Sequence, residues 1–377
     1  MLALLVLSLL SVSDAAKGLD IHVFNVGQAD SQLIVFPSGY SILVDAGEVK
    51  TGSMNCKIIA ERIKAILGKS YVDVAVLTHL HMDHLGVPFK NGFWYLMETA
   101  GISFGKFVDR DSGAMKAGKT ECSVEDDIDW HNAGTVSGPA IKWICYSTNT
   151  LLQTKVQPIR KIAVPCYKMI TPPDEGADVE IVVSDARGVK YEGNPLTGDH
   201  RNETYAPSEN DYSISLRIQY GNFVYSTSGD LDGENSKSEF KYMYHNIESV
   251  YKDVVGEVDA YHANHHGSSH SNNAEWLLAL KPTVSVISCG AGNLYKHPTE
   301  VAVTNMNTYS KKIYLTQNCN PTVTDKFSKA IIVNDEILIH YPTGGVSFSI
   351  SNQGGNFTTY FDVKKNKPTR KQCGIQN

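Results

Sequence analysis

Nothing limits the fold of this chain more than the stretch Thr78-His-Leu-His-Met-Asp-His-Leu-Gly86. It follows Val72-Asp-Val-Ala-Val-Leu-Thr78, a short apolar, β-branched run that predicts a buried strand. A loop leaving a strand end can aim several side chains at one point. Imidazole nitrogen and carboxylate oxygen both suit zinc and similar divalent ions. His79, His81, Asp83 and His84 are more groups than one tetrahedral ion takes up once water also binds. The spacing therefore predicts two adjacent metals, with His79 and His81 on one and Asp83 and His84 on the other. A polar surface loop would explain a lone histidine, but not this cluster.

At 377 residues the chain fits one large α/β unit with insertions. A net charge of −6 argues against a strongly basic groove for long nucleic acid, since Lys364-Lys-Asn-Lys-Pro-Thr-Arg-Lys371 is a lone, mixed basic tail. The apolar run Met1–Leu10 followed by Ser11-Val-Ser-Asp-Ala-Ala16 has the shape of a secretory signal peptide, so residues 1–16 are expected to be a leader. No later stretch is long and apolar enough to span a bilayer. Export is the expectation, with no protein partner evident. The sequons Asn202-Glu-Thr204 and Asn356-Phe-Thr358 fit a glycoprotein on that route. Seven cysteines then imply disulfides with one thiol left over or intermolecular, and their pairing is open.

Along the chain, Leu19–Val26 alternates like a strand, and Ser31–Phe36 with Tyr40–Val44 reads as a hairpin around Pro37-Ser-Gly39. Residues 55–67 have helical periodicity closed by Gly68. The span from about Gly101 to Asp185 is irregular and reads as an insertion. Strands then follow at 212–220 and 223–227, a helix through Tyr244, a strand at 258–263, a helix at 274–280 and a strand at 284–287. Two such halves predict two sheets packed between helices. The domain is expected over 17–345, with a C-terminal extension from 346 to 377.

Further ligand types sit at other strand ends. Asp45 lies in Ile42-Leu-Val-Asp-Ala-Gly47, Asp230 in Ser228-Gly-Asp230, and His262, His265 and His266 in Tyr261-His-Ala-Asn-His-His-Gly267. Singly, an Asp beside Gly is turn chemistry. Together they repeat one pattern, a carboxylate or imidazole at a strand terminus.

These residues resemble the metallo-β-lactamase superfamily. The stretches Phe24-Asn-Val-Gly-Gln-Ala-Asp30, Asn210-Asp-Tyr-Ser213, His265-His-Gly-Ser268 and Tyr295-Lys-His-Pro298 are similar, more narrowly, to the hydrolase domain of ComEC-type DNA-uptake competence proteins, to which bacterial phosphorylcholine esterases are related. The resemblance runs from about Asp20 to about Ile339 and implies a four-layer αββα sandwich. It implies that His79 and His81 bind one metal and Asp83 and His84 the other, with Asp230 bridging. His266, or its neighbour His265, completes the second site. Asp45 orients a ligand, and His297 faces substrate, where it protonates a leaving group or holds a phosphate oxygen. Many members carry a further histidine before the bridging aspartate. Here that interval offers His131 and His200 alone, neither in a matching context, so Asp211 is the expected substitute, through oxygen or a held water.

The expected cofactors are two divalent ions, zinc or else manganese, that acidify a bridging water for attack. Asp83 or Asp230 would keep its remaining proton, with His297 or His265 near the leaving oxygen. The resemblance favours phosphodiesters, whether nucleic acid or a phosphocholine ester. A lactonase or other ester or amide hydrolase is the alternative, and a metal-binding module without turnover is the third reading.

Overall fold

The computed structural model describes residues 17–49, 54–149, 155–157 and 159–374, so the expected leader 1–16 lies outside the described residues. Two large sheets dominate it. The first runs in the order Thr358–Asp362, Ser347–Asn352, Ile337–Pro342, Gly18–Val23, Gln32–Val35, Ser41–Val44, Tyr71–Val76, Ser103–Asp109 and Arg160–Ile162. The second runs Ala330–Ile332, Lys312–Leu315, Val284–Ile287, Ala260–His262, Phe223–Thr227, Ser215–Tyr220 and Ala177–Val183.

Side-chain alternation explains the layers. In strand Tyr71–Val76, Val74 and Val76 point between the sheets, where they join Ile21, Ile42, Leu216, Ile218, Tyr225 and Val286. Ala75 faces the other way, where it joins Ile59 and Ile63 of helix Met54–Leu67 and Trp143 of helix Gly138–Thr148. The second sheet likewise packs Val224, Tyr261 and Ile313 against Trp276, Leu277, Val303 and Met306 from helices Ala274–Leu280 and Glu300–Tyr309. The order of layers is helix, sheet, sheet, helix.

Three expectations need correction. The span 101–185 is only partly an insertion, because Ser103–Asp109 and Arg160–Ile162 extend the first sheet and Ala177–Val183 closes an edge of the second. Residues 346–362 are not an appendage either. Ser347–Asn352 pairs with Ile337–Pro342, and Phe348, Ile350 and Phe361 enter the inter-sheet core. The helix expected through Tyr244 is instead a strand, Tyr242–Tyr244, in a small sheet with Ala206–Pro207 and Ser236–Lys237, and the helix follows at Ile247–Val255.

Disulfides join Cys122 to Cys145, Cys166 to Cys373 and Cys289 to Cys319, leaving Cys56 buried in its helix. Both sequon asparagines, Asn202 and Asn356, are exposed.

Candidate metal centre

The Thr78–Gly86 loop is pinned by the segment after strand Ser41–Val44 and by Asp30. Ala46 N donates to His84 O, Glu48 N to Met82 O and Asp30 N to Asp83 O, at 2.8–3.1 Å. A side chain at Gly47 would collide with Asp83 O, its Cβ falling 1.6 Å away, so that position requires glycine. This stitching explains why an Asp-Ala-Gly turn accompanies the histidine cluster.

Asp45, fully buried and in the left-handed region at φ 59°, is the hub. Its carboxylate accepts from Thr78 N at 2.8 Å, from Thr78 Oγ1 at 2.7 Å and from His84 Nδ1 at 2.7 Å. Burial pushes its pKa up to about 6, against the opposing pull of His84. With Nδ1 occupied, His84 turns Nε2 inward, 3.0 Å from Asp230 Oδ1. His266 is fixed the same way. Its Nδ1 donates to Ser288 O at 2.9 Å, and its Nε2 lies 3.4 Å from Asp83 Oδ2 and 3.8 Å from Asp230 Oδ1.

His265 and His266 both adopt φ 51° within the turn Asn264–Gly267, a conformation costing about 1–3 kcal/mol per residue. The turn is held by buried Glu248, which accepts from Asn264 Nδ2, Asn272 N and Asn273 N at 2.7–2.8 Å. Strain held in place by buried hydrogen bonds is what directs these two imidazoles into the centre.

The expected ligands therefore meet. Asp83, His84, Asp230 and His266 offer ligand atoms all within 4.8 Å of one another, and so do His79, His81 and Asp83. Asp230 reaches both sets, since its Oδ2 lies 3.8 Å from His79 Nε2 while Oδ1 faces His84. His79 Nε2 and His81 Nδ1 face each other at 3.1 Å. His84 Nε2, His266 Nε2 and Asp230 Oδ1 are buried and make no well-directed hydrogen bond, although His84 Nε2 and Asp230 Oδ1 stand only 3.0 Å apart. Three orphaned atoms aimed at one point fit a divalent cation, which would satisfy all of them at once.

Electrostatics set the two sets apart. Burial opposes charge on His266, but Asp230 and Asp83 outweigh it and push the ring up to about 9. His84 is likewise raised well above its usual value, against burial, by Asp230 and Asp45. His79 goes the other way, lowered by burial and then by His84.

The remaining expected residues divide. His265 Nε2 lies 3.6 Å from Asp230 Oδ2, its ring lowered to about 4 mainly by burial. His297 stands at the mouth, with ring centroids 5.4 Å from His265 and 6.4 Å from His266, and burial with those two rings lowers it to about 3. The ring is thus neutral at pH 7. His262 does not point into the centre; its Nε2 meets Ser288 Oγ at 2.9 Å, behind His266. Asp211 is also elsewhere. Its carboxylate accepts from His245 N at 2.9 Å and His245 Nδ1 at 2.7 Å, so it is spent as a partner for the His79/His81 side. His131 and His200 pair with Asp111 and Glu203 instead.

Sequence reasoning missed the groups behind this loop. Glu209 Oε1 accepts from Leu80 N, between His79 and His81, at 3.0 Å, and buried Arg110 grips Glu209 through two nitrogens at 2.7 and 2.6 Å. The centre opens into a cavity of 650 Å³ lined by Asn210, Phe240, Tyr242, Tyr244, His270 and Tyr295 beside the expected residues. The alternating aromatics at 240, 242 and 244 were the available signal for that wall.

No protein-family model matches the chain. A stretch of 124 residues, 33% of this chain, is 26% identical to ComE operon protein 3 of Bacillus subtilis (strain 168), and it spans 15% of that protein. The chain thus corresponds to a small part of that relative. The layered fold and this match agree with the resemblance read from the motifs. The chain itself carries a four-layer helix–sheet–sheet–helix architecture. Among solved structures, a diphosphatase from the PhnP family is similar at a TM-score of 0.38 and 11% identity, covering 86% of this chain and 97% of that one. A long-form RNase Z from yeast is similar at a TM-score of 0.32 and 13% identity, covering 87% of this chain and 42% of that one.

Proposed function

We propose that this metallo-β-lactamase-fold chain is an exported, metal-dependent hydrolase that cleaves phosphodiesters. The convergence of His84 Nε2, His266 Nε2 and Asp230 Oδ1, buried and without well-directed hydrogen bonds, is the observation that carries this reading. Asp83, His84 and His266 would hold one divalent cation, His79 and His81 a second, with Asp230 reaching both. Such a pair, zinc or manganese, supplies an acidified water and positive charge against the attacked phosphate.

The chain's own groups do the rest. Asp45 and the Ser288 carbonyl keep His84 and His266 in the tautomer that presents Nε2. Asp83 or Asp230 takes the remaining proton of the attacking water. The neutral His297 ring binds a non-attacked phosphate oxygen, and His265 stands near the leaving oxygen. The exposed rings of Phe240 and Tyr295 at the cavity supply a flat apolar surface for the leaving group. Three disulfides support export, which would also make Asn202 and Asn356 glycan acceptors. The leader 1–16 followed by one domain, both sheets included, is the organisation that goes with it.

Bis(4-nitrophenyl) phosphate, a simple lactone and a phosphocholine ester, offered to the purified metal-loaded chain, separate the readings. Turnover of the diester, falling in His266→Ala by more than the roughly 10- to 100-fold of an outer-contact change, is expected. Preferred lactone turnover would make the chain a lactonase, and bound metal with no turnover a binding module.

A further inference from the structure

The His79/His81 side lacks the third histidine that many relatives of this fold carry, and Asp211 is engaged with His245. Its immediate neighbour Asn210 has a free carboxamide oxygen. Asn210 is 3% exposed and stands on the turn Glu209–Tyr212, whose first residue accepts from Leu80 N between the two histidines. One side chain thus ties this turn to the metal loop. Ser208 Oγ accepts from Asn210 N at 3.2 Å and fixes the start of the turn.

The two ends of the Asn210 carboxamide differ. Its Nδ2 is 3.3 and 3.4 Å from the ring nitrogens of His265. Its Oδ1 is buried and has no hydrogen-bond partner. The residue lines the same cavity as His81, Asp83 and Asp230. A buried carboxamide oxygen without a partner is not stable idle. It is an uncharged, hard oxygen donor that lines the same cavity as a cluster of two imidazoles and a carboxylate.

We propose that Asn210 Oδ1 completes the ligand set of the cation at His79 and His81, in the role for which sequence reading nominated Asp211. This rests on the metal-dependent reading above. The consequence is selectivity. An oxygen where an imidazole would otherwise stand weakens the claim of zinc and suits manganese, which accepts carbonyl and carboxylate ligands. The two sides of the centre then differ in metal preference, with His84 and His266 retaining the zinc-type set.

The test is titration of the chelator-treated full-length protein with Mn²⁺, following free Mn²⁺ by electron paramagnetic resonance, with Zn²⁺ competition by calorimetry. Wild type is expected to take two Mn²⁺. Asn210→Ala keeps one and weakens the other by roughly tenfold or more, the scale of a lost metal-site contact. Asn210→His keeps two and shifts the weaker site toward Zn²⁺ by roughly tenfold or more. Two Mn²⁺ bound by both variants with wild-type affinity and selectivity would overturn the assignment while leaving the hydrolase reading intact. Should Asn210→Ala fail to fold, unchanged Zn²⁺/Mn²⁺ preference in Asn210→His overturns it alone. Wild type that takes up no second cation removes both this inference and the two-cation reading.

Discussion

The two halves of the centre are prepared unequally. On the His84 side, each imidazole has its far nitrogen occupied, by Asp45 or by the Ser288 carbonyl, so each Nε2 is aimed before any ion arrives. His84, Asp230 and His266 are 0–2% exposed. On the other side, His79 Nε2 and His81 Nδ1 face one another, and His79 Nδ1 meets a hydroxyl, Thr78 Oγ1, at 3.2 Å rather than a carboxylate. His81 is half-buried. The difference teaches that orientation by outer partners, not the number of candidate ligands, would separate a pre-formed half from one left to take its final geometry with a cation.

Removing a ligand from the pre-formed half breaks the comparison most severely. His84→Ala should abolish phosphodiester turnover and the tighter metal site together, whereas His79→Ala should remove the weaker site and leave the tighter one; metal analysis beside steady-state kinetics reads both. A smaller effect follows from Asp45→Asn, which keeps the shape but sets an amide against His84 Nδ1. It should weaken the tighter site by roughly 10- to 100-fold and leave the other within a few-fold. Equal weakening of both halves would contradict the asymmetry.

The mildest test is pH. Metal competes with the proton for a ring nitrogen. His266, pushed up to about 9, is charged at neutral pH in the metal-free chain, and so is His84. Affinity on that side should therefore rise as pH climbs toward 9, with protons released on binding. His79, lowered by burial, is already neutral, so its side should titrate more flatly. Calorimetry in buffers of different ionisation enthalpy counts the protons.

Much of this was legible in the chain. Candidate site residues at strand termini announce themselves because a buried strand is an obvious apolar run and the residue after it has one place to go. Asp45, the first cluster, Asp230 and His266 were found that way. Glu209 and Arg110 were not, since their contacts span 129 and 99 residues and neither position breaks a local pattern. Phe240, Tyr242 and Tyr244 were misread as helical although they alternate with period two. The strand Ser103–Asp109 was lost because Gly105 and Lys106 interrupt its apolar run. The domain end expected at 345 falls in the turn between two strands of the same sheet, Ile337–Pro342 and Ser347–Asn352.

The most direct measurement is a calorimetric titration of the metal-free protein with a divalent cation, run beside His84→Ala and His79→Ala. Two classes of site, the tighter lost only in His84→Ala and the weaker lost only in His79→Ala, is the expected result. A wild-type protein that is folded and binds no cation, or a single class of site untouched by His84→Ala, would contradict the account.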